Sequence, residues 1–283
     1  MQTIKLNNGI EMPQMGYGVF QITPEECERC VSDALSVGYR MIDTAQAYWN
    51  EEGVGRAWKK SGIRREDIFL VTKVWISNYG EGQTLKSIEE SLRKLQTDYI
   101  DLMLLHQPFC DRYRDLEKAY KSGKLRAIGV SNFYPDHLVD LVANMEIVPM
   151  VNQVETHVFN QQLEAKKYME ETGTRIMSWG PLVEGKNNFF HNSTLARIGE
   201  KYNKSVAQVA LRWLIQSGGI IIPKSTRKER MAEYLNIFDF ALDADDMAAI
   251  ALLDEKHSFF IDHHDGQMAK QFMEWRSLVE PAK

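Results

Sequence analysis

The sequence predicts a (β/α)8 barrel, an α/β fold of eight parallel strands, with an N-terminal β-hairpin ahead of it and an extra C-terminal helix and tail behind it. Three observations predict this. Short apolar runs rich in Val, Ile and Met alternate eight times with amphipathic stretches. The runs are nearly continuous in hydrophobicity, as parallel strands buried on both faces are. The chain has 283 residues, 44% of them hydrophobic, and no internal repeat, low-complexity linker or shift in composition, which suits one barrel domain over residues 1–283.

Taken in order, TIKLNNGIEMP (3–13) carries the Asn-Gly signal of a tight hairpin, placed to cover one end of the barrel. The eight strands are MGYGV (15–19), RMIDTA (40–45), IFLVTKV (68–74), IDLMLLH (100–106), RAIGVSN (126–132), PMVNQVE (149–155), RIMSWG (175–180) and GIIIPKS (219–225). Between them, PEECERCVSDALSVG opens with Pro24 and two glutamates as a first helical turn does, and TLKSIEESLRKLQ, DHLVDLVANM, QLEAKKYMEE and SVAQVALRWLIQ place apolar residues at helical spacing. DADDMAAIALLD (243–254) reads as an N-capped extra helix, and HSFFIDHHDGQMAKQFMEW (257–275) as an aromatic, His-rich polar tail.

Composition narrows the function classes. A formal net charge of -5 and no block of Lys and Arg interleaved with aromatics point away from nucleic acid and toward a small-molecule partner. The N-terminus has no cleavage-site pattern and no stretch nears the roughly 18 apolar residues of a membrane span, so a cytoplasmic chain without membrane association is expected. Three cysteines argue against a disulfide framework; Cys27 and Cys30 read as two thiols one turn apart on a helix. His257, His263, His264 and Asp265 lie close in sequence but lack a paired helical spacing, and no metal site is expected.

The strand ends carry the chemistry. In such barrels reactive groups gather at the carboxyl ends of the strands, and here those ends offer Asp43, Lys73, His106, Ser131, Asn132, Gln153, Trp179, Lys224 and Ser225, with Tyr48 in the loop after Asp43. Singly, Asp43 and Lys73 could be an ordinary ion pair and His106 a core histidine; together with a tyrosine they form a proton-delivery set. A lysine ammonium at about 4 Å is worth on the order of 4 kcal/mol at an effective dielectric of about 20, enough to lower a phenol's pKa by up to ~3, and Asp43 cancels part of that field. The G-x-G-x-x-G fingerprint is absent, since Gln21 stands where the third glycine would fall, as are a Walker loop, a G-x-S-x-G elbow and an HExxH pattern.

GYRMIDTAQAYWNEEGVGRA, VTKVW, LQTDYIDLMLLHQP, GKLRAIGVSNF, VNQVETH, SWGPL, IIIPKSTRKER and NIFDFAL, in this order over nearly the whole chain, resemble an aldo-keto reductase, most of all the prokaryotic branch of 2,5-diketo-gluconate, methylglyoxal and prostaglandin reductases. The resemblance implies NADPH/NADP+ as cofactor and reduction of aldehydes and ketones, with small carbonyl, α-keto or diketo substrates, by a monomeric or weakly associated enzyme. It implies Tyr48 as general acid, Lys73 and Asp43 tuning it, and His106 polarising the carbonyl. It places Ser131, Asn132 and Gln153 on the nicotinamide carboxamide and Trp179 on its ring. Gly180 and Leu182 fall beside these, and Lys224, Ser225, Thr226 and Arg230 at the 2′-phosphate. Glu233 falls on the adenine side, followed by Tyr234 where the family usually has asparagine. Phe20, Trp49, Trp75, His106 and Gln107 are implied in the substrate pocket, with residues 260–264 as a partial lid. The segment after His106 is shorter than the family's and is expected to open the mouth there. Two other readings stay open at this stage: a cofactor-binding regulatory subunit, and a lyase or isomerase using Lys73 as a Schiff-base amine.

Overall fold

A computed structural model describes residues 2–109 and 112–276. Strands β1 (Thr3–Lys5) and β2 (Glu11–Pro13) form the antiparallel hairpin, in the register Thr3 to Pro13, around a turn whose Gly9 sits at φ +89°. Asn7 donates to the Pro149 carbonyl, Asn8 to that of Arg126, and Arg175 to that of Lys5, so the hairpin lies where three barrel strands begin. It covers the amino end, opposite the polar strand ends.

Eight parallel strands follow: β3 (Tyr17–Gly18), β4 (Met41–Asp43), β5 (Phe69–Val74), β6 (Ile100–Leu105), β7 (Leu125–Ser131), β8 (Val151–Glu155), β9 (Arg175–Trp179) and β10 (Ile220–Ile221), each beside the next. A parallel bridge from Met15 to Ile221 closes β10 onto the first strand, and Gly16 donates to the Ile221 carbonyl at 2.8 Å. The strands at this seam are shorter than the apolar runs suggest. Pro223 has no N–H for a ladder and turns the chain outward, though its carbonyl still accepts from Gly18. Gly129 marks the tightest strand approach, since a Cβ there would lie 2.3 Å from the Val151 carbonyl oxygen.

The helices are α1 (Pro24–Val37), α2 (Glu51–Lys60), α3 (Gln83–Leu95), α4 (Tyr113–Lys121), α5 (Pro135–Asn144), α6 (Leu163–Thr172), α7 (Ser193–Tyr202), α8 (Val206–Gln216), α9 (Lys228–Leu235), α10 (Ala244–Ala251) and α11 (Gly266–Trp275). Thr23 caps α1 ahead of Pro24, while Ser205 and Gln208 make a reciprocal capping box on α8. The extra helix is α10, capped by the Asp243 side chain. Cys27 and Cys30 are both free and buried on α1.

The tail departs from the sequence expectation. Asp265 caps a further helix, α11, whose Phe272 is buried. Phe272 packs edge-on against Phe109, and Arg276 donates to the Tyr79 carbonyl at 2.7 Å. The short segment after His106 therefore does not leave that side of the mouth open: Phe272 and Trp275 wall it. No helix among the described residues is long and apolar enough to cross a membrane.

Candidate active site

Asp43 ends β4 and Lys73 lies one residue before the end of β5, and the two meet at 2.7 Å with almost no exposure. Lys73 Nζ also donates to the Thr44 carbonyl at 2.9 Å, and the Gln153 amide on β8 donates to the other Asp43 oxygen at 2.9 Å. Burial pushes Asp43 up and Lys73 down from their ordinary ranges, and the contact opposes both shifts. The extra hydrogen bonds satisfy the charged forms, so the pair is read as an ion pair.

Tyr48 ends a short 3-10 turn, Gln46–Tyr48, directly after β4. Gln46 pins that turn: its amide nitrogen donates to Ser87 and Ser91 on α3, and its oxygen accepts from the Trp75 N–H and from Asn78. This glutamine carries no chemistry of its own, and nothing in the residue pattern singled it out. The Lys73 ammonium lies 5.1 Å from the centre of the Tyr48 ring, and that ring packs edge-on to His106 at 5.6 Å.

Here the structure corrects the expected tuning. The Tyr48 pKa lies well above the ordinary phenol value, through burial first and the Asp43 carboxylate second, rather than below it. Tyr48 thus carries its proton throughout the neutral range. His106 is held well below the usual imidazole range by burial first and then by the Lys73 charge, and is neutral. Its Nδ1 is buried without a partner, which leaves Nε2 as the nitrogen able to donate into the cavity.

These groups border a cavity of about 860 Å³ at the carboxyl end of the barrel. Asp43, Tyr48, His106, Ser131, Asn132, Gln153, Trp179, Gly180, Leu182, Lys224 and Arg230 all line it, as do Phe20, Trp49, Trp75 and Gln107. Lys73 lies behind Asp43 and Tyr48, fully buried. Ser131 donates to the Gln153 carbonyl at 2.9 Å, and the Trp179 indole donates to Asn132 Oδ1 at 2.9 Å. Asn132 sits at φ +65°, a left-handed conformation that asparagine tolerates better than most residues.

Three residues of the implied cofactor set do not reach the cavity wall. Ser225 is buried with its Oγ accepting from the Arg227 N–H at 3.1 Å; its own carbonyl accepts from the Tyr17 hydroxyl at 2.6 Å. Thr226 gives its carbonyl to Arg29. Glu233 accepts from the Ser205 hydroxyl at 2.5 Å, tying α9 to the cap of α8, while the next residue, Tyr234, does line the cavity.

Other walls were not read from the sequence. The loop after β9 supplies Glu184, Lys186 and Phe190, and holds Val183 and Glu184 at φ +56° and +50°, a conformation costly for a β-branched residue. The tail supplies Phe260, His263, Phe272 and Trp275. Phe260 packs edge-on to Trp179 at 5.3 Å under the Lys186 ammonium, which lies 3.8 Å from its ring. The other tail histidines point elsewhere, His257 toward Glu255 and His264 toward Asp136.

Lys224 and Arg230, also in the cavity wall, are both exposed, and neither forms an ion pair among the described residues. Two cations without ion pairs, amide and hydroxyl side chains and an aromatic ring on one cavity wall suit a ligand with an anionic group and a flat polar ring, as a nicotinamide dinucleotide is.

Comparisons with known proteins identify the family. The model of the aldo/keto reductase family matches residues 12–255. A glyoxal reductase of Bacillus subtilis (strain 168) is 48% identical over 258 residues, which are 89% of this chain and 93% of that protein. The methylglyoxal reductase DkgA of Escherichia coli is 39% identical over a stretch with the same two coverages. The crystal structure of an aldo-keto reductase enzyme from a Medee basin deep-sea metagenome library superimposes with a TM-score of 0.90 at 41% identity, covering 93% of this chain and 98% of that one. With a closed eight-stranded barrel, a cavity at its carboxyl end and matches of this extent, the chain belongs to the aldo/keto reductase family.

Proposed function

We propose that this protein reduces small aldehydes and ketones, α-keto and diketo compounds among them, to alcohols with NADPH. The observation that carries the reading is the convergence of Tyr48, Lys73, Asp43 and His106 beside one cavity whose wall also holds Lys224 and Arg230, neither of them in an ion pair among the described residues. The names of the relatives, a glyoxal and a methylglyoxal reductase, support a compact carbonyl substrate.

Bound NADPH supplies the hydride that goes to the carbonyl carbon. The chain's own residues handle the oxygen. His106 donates from Nε2 to the carbonyl oxygen and, being neutral, holds and polarises it without surrendering a proton. Tyr48, protonated at neutral pH, delivers its hydroxyl proton to that oxygen as negative charge builds there. The phenolate so formed lies beside the Lys73 ammonium, whose charge stabilises it until solvent returns a proton. Lys73 therefore acts after transfer begins, rather than by lowering the resting pKa. Asp43, in turn, keeps Lys73 charged within the barrel.

Tyr48→Phe tests the assignment. It should keep the fold and NADPH affinity while kcat falls by roughly 10²–10⁴, the range for losing general acid catalysis. Near wild-type kcat in that variant would remove Tyr48 from the chemistry.

A further inference from the structure

Taking the NADPH reading as given, we infer that Tyr17, a buried residue behind the cavity wall, is a positioning residue for cofactor choice: together with Tyr39 it pins the backbone that carries Lys224 and Arg230, and so sets the preference for a 2′-phosphorylated dinucleotide.

The sequence places Tyr17 between Gly16 and Gly18, at the first barrel strand. Without side chains on its neighbours, β3 runs close to the segment after β10. A Cβ at Gly18 would lie 2.8 Å from the Ile222 carbonyl oxygen, and the Gly18 N–H donates to the Pro223 carbonyl at 3.2 Å. Successive residues of a strand face opposite sides, so Tyr17 points away from the cavity that Gly18 lines. It is fully buried beside Cys30 of α1, its ring edge-on to that of the equally buried Tyr39 at 5.7 Å.

Both hydroxyls reach the same stretch of chain. Tyr17 donates to the Ser225 carbonyl at 2.6 Å and Tyr39 to the Met231 carbonyl at 3.2 Å. Each acceptor directly follows one of the two cations, Ser225 after Lys224 and Met231 after Arg230. Between them Arg29 of α1 donates to the Thr226 carbonyl at 3.3 Å. These bonds draw the partial negative charge of the carbonyl oxygens toward the barrel, away from the ammonium and guanidinium that a phosphate would engage. Lys224 and Arg230 have no ion pair among the described residues, so the backbone beneath them is what holds them in place, and a preformed pair loses less freedom on binding. The Ser225 carbonyl accepts from no other group among the described residues, and Ser225 is only 7% exposed, so without the phenol hydroxyl a buried acceptor is left unpaired unless the segment shifts.

Calorimetric titration of NADPH and NADH into Tyr17→Phe, which keeps the ring and removes the hydroxyl, is the test. The NADPH Kd should rise roughly three- to tenfold, the loss of one neutral hydrogen bond, with the NADH Kd unaltered. Tyr39→Phe acts at the other end of the segment, serves should Tyr17→Phe not fold, and should shift the NADPH Kd in the same direction. In a chain already carrying Lys224→Ala and Arg230→Ala, Tyr17→Phe should change neither affinity. An unchanged NADPH Kd, an equal rise for both cofactors, or an undiminished effect in the chain without the two cations overturns the inference. Equal affinity of the wild type for NADH and NADPH would sink the NADPH reading itself, a result distinct from a wild-type preference that survives Tyr17→Phe.

Discussion

Arg230 and Lys224 are the residues through which cofactor choice is most directly tested. Both line the cavity without an ion pair among the described residues, and a guanidinium can grip a phosphate through two parallel hydrogen bonds. Arg230→Ala should raise the NADPH Kd by roughly 10-fold to 150-fold and leave NADH binding nearly unaltered. Calorimetric titration measures both; equal affinity of the wild type for NADH and NADPH would contradict a phosphate clamp. A second residue-scale expectation concerns pH. The pKa of His106 is pushed below 6.5 and that of Tyr48 above 10.0, so imidazole and phenol each stay in one form between those values. kcat/KM for reduction should therefore be flat from about pH 6.5 to 10 with no bell, falling only when acid protonates His106 or alkali removes the Tyr48 proton. A rise or fall near pH 8 would mean that another group governs the step. At this scale the reactive residue types were legible, because Asp, Lys, His and Tyr stand at strand ends where apolar residues would otherwise continue. The direction of the Tyr48 shift was not, since it depends on how deep the ring sits and how near Asp43 lies. The orientation of Glu233 was equally hidden: a partner 28 residues away claims its carboxylate.

Among the elements, the hairpin, the barrel strands and the capped α10 could be read from turn residues and apolar runs, while α11 could not. Its apolar residues Met268, Phe272 and Trp275 do recur at helical spacing behind the Asp265 cap. The histidines and aspartates ahead of them masked that signal as a polar tail. What orders the tail is tertiary. The buried Glu155 carboxylate accepts from Ser258 Oγ at 2.5 Å and from the Phe259 N–H at 2.9 Å, and His157 braces it from the side at 2.9 Å. His263 makes that docking sensitive to acid. Its pKa falls from 6.5 to about 4 in the folded chain, so an undocked tail takes up a proton that the docked one refuses. Docking is at full strength above pH 6.5 and weakens as pH falls toward 4, by up to about 3 kcal/mol. Limited proteolysis should accordingly cut the tail faster at pH 5 than at pH 7, and His263→Leu should abolish that difference.

For the whole molecule, the barrel was the most legible feature, since eight apolar runs at barrel spacing leave few other topologies. The division of labour around the cavity was less so. The family match ends at residue 255, whereas Phe260, His263, Phe272 and Trp275 in the cavity wall all come after it. Removing residues 256–283 should leave the barrel folded and raise KM for small aldehydes several-fold, while relaxing discrimination against bulky aromatic aldehydes. Unchanged discrimination between the two aldehyde classes would show that the tail does not shape the pocket.

That wall also gives the molecule an optical property. Of its six tryptophans, Trp49, Trp75, Trp179 and Trp275 border the cavity, and only Trp58 and Trp213 do not. Four of the six indoles therefore stand in the wall of the one cavity proposed to take ligands. A reduced nicotinamide ring beside Trp179 would accept excitation energy from the indoles and re-emit it at longer wavelength. The cavity so becomes its own chromophore array, and occupancy can be followed as a colour shift without any label.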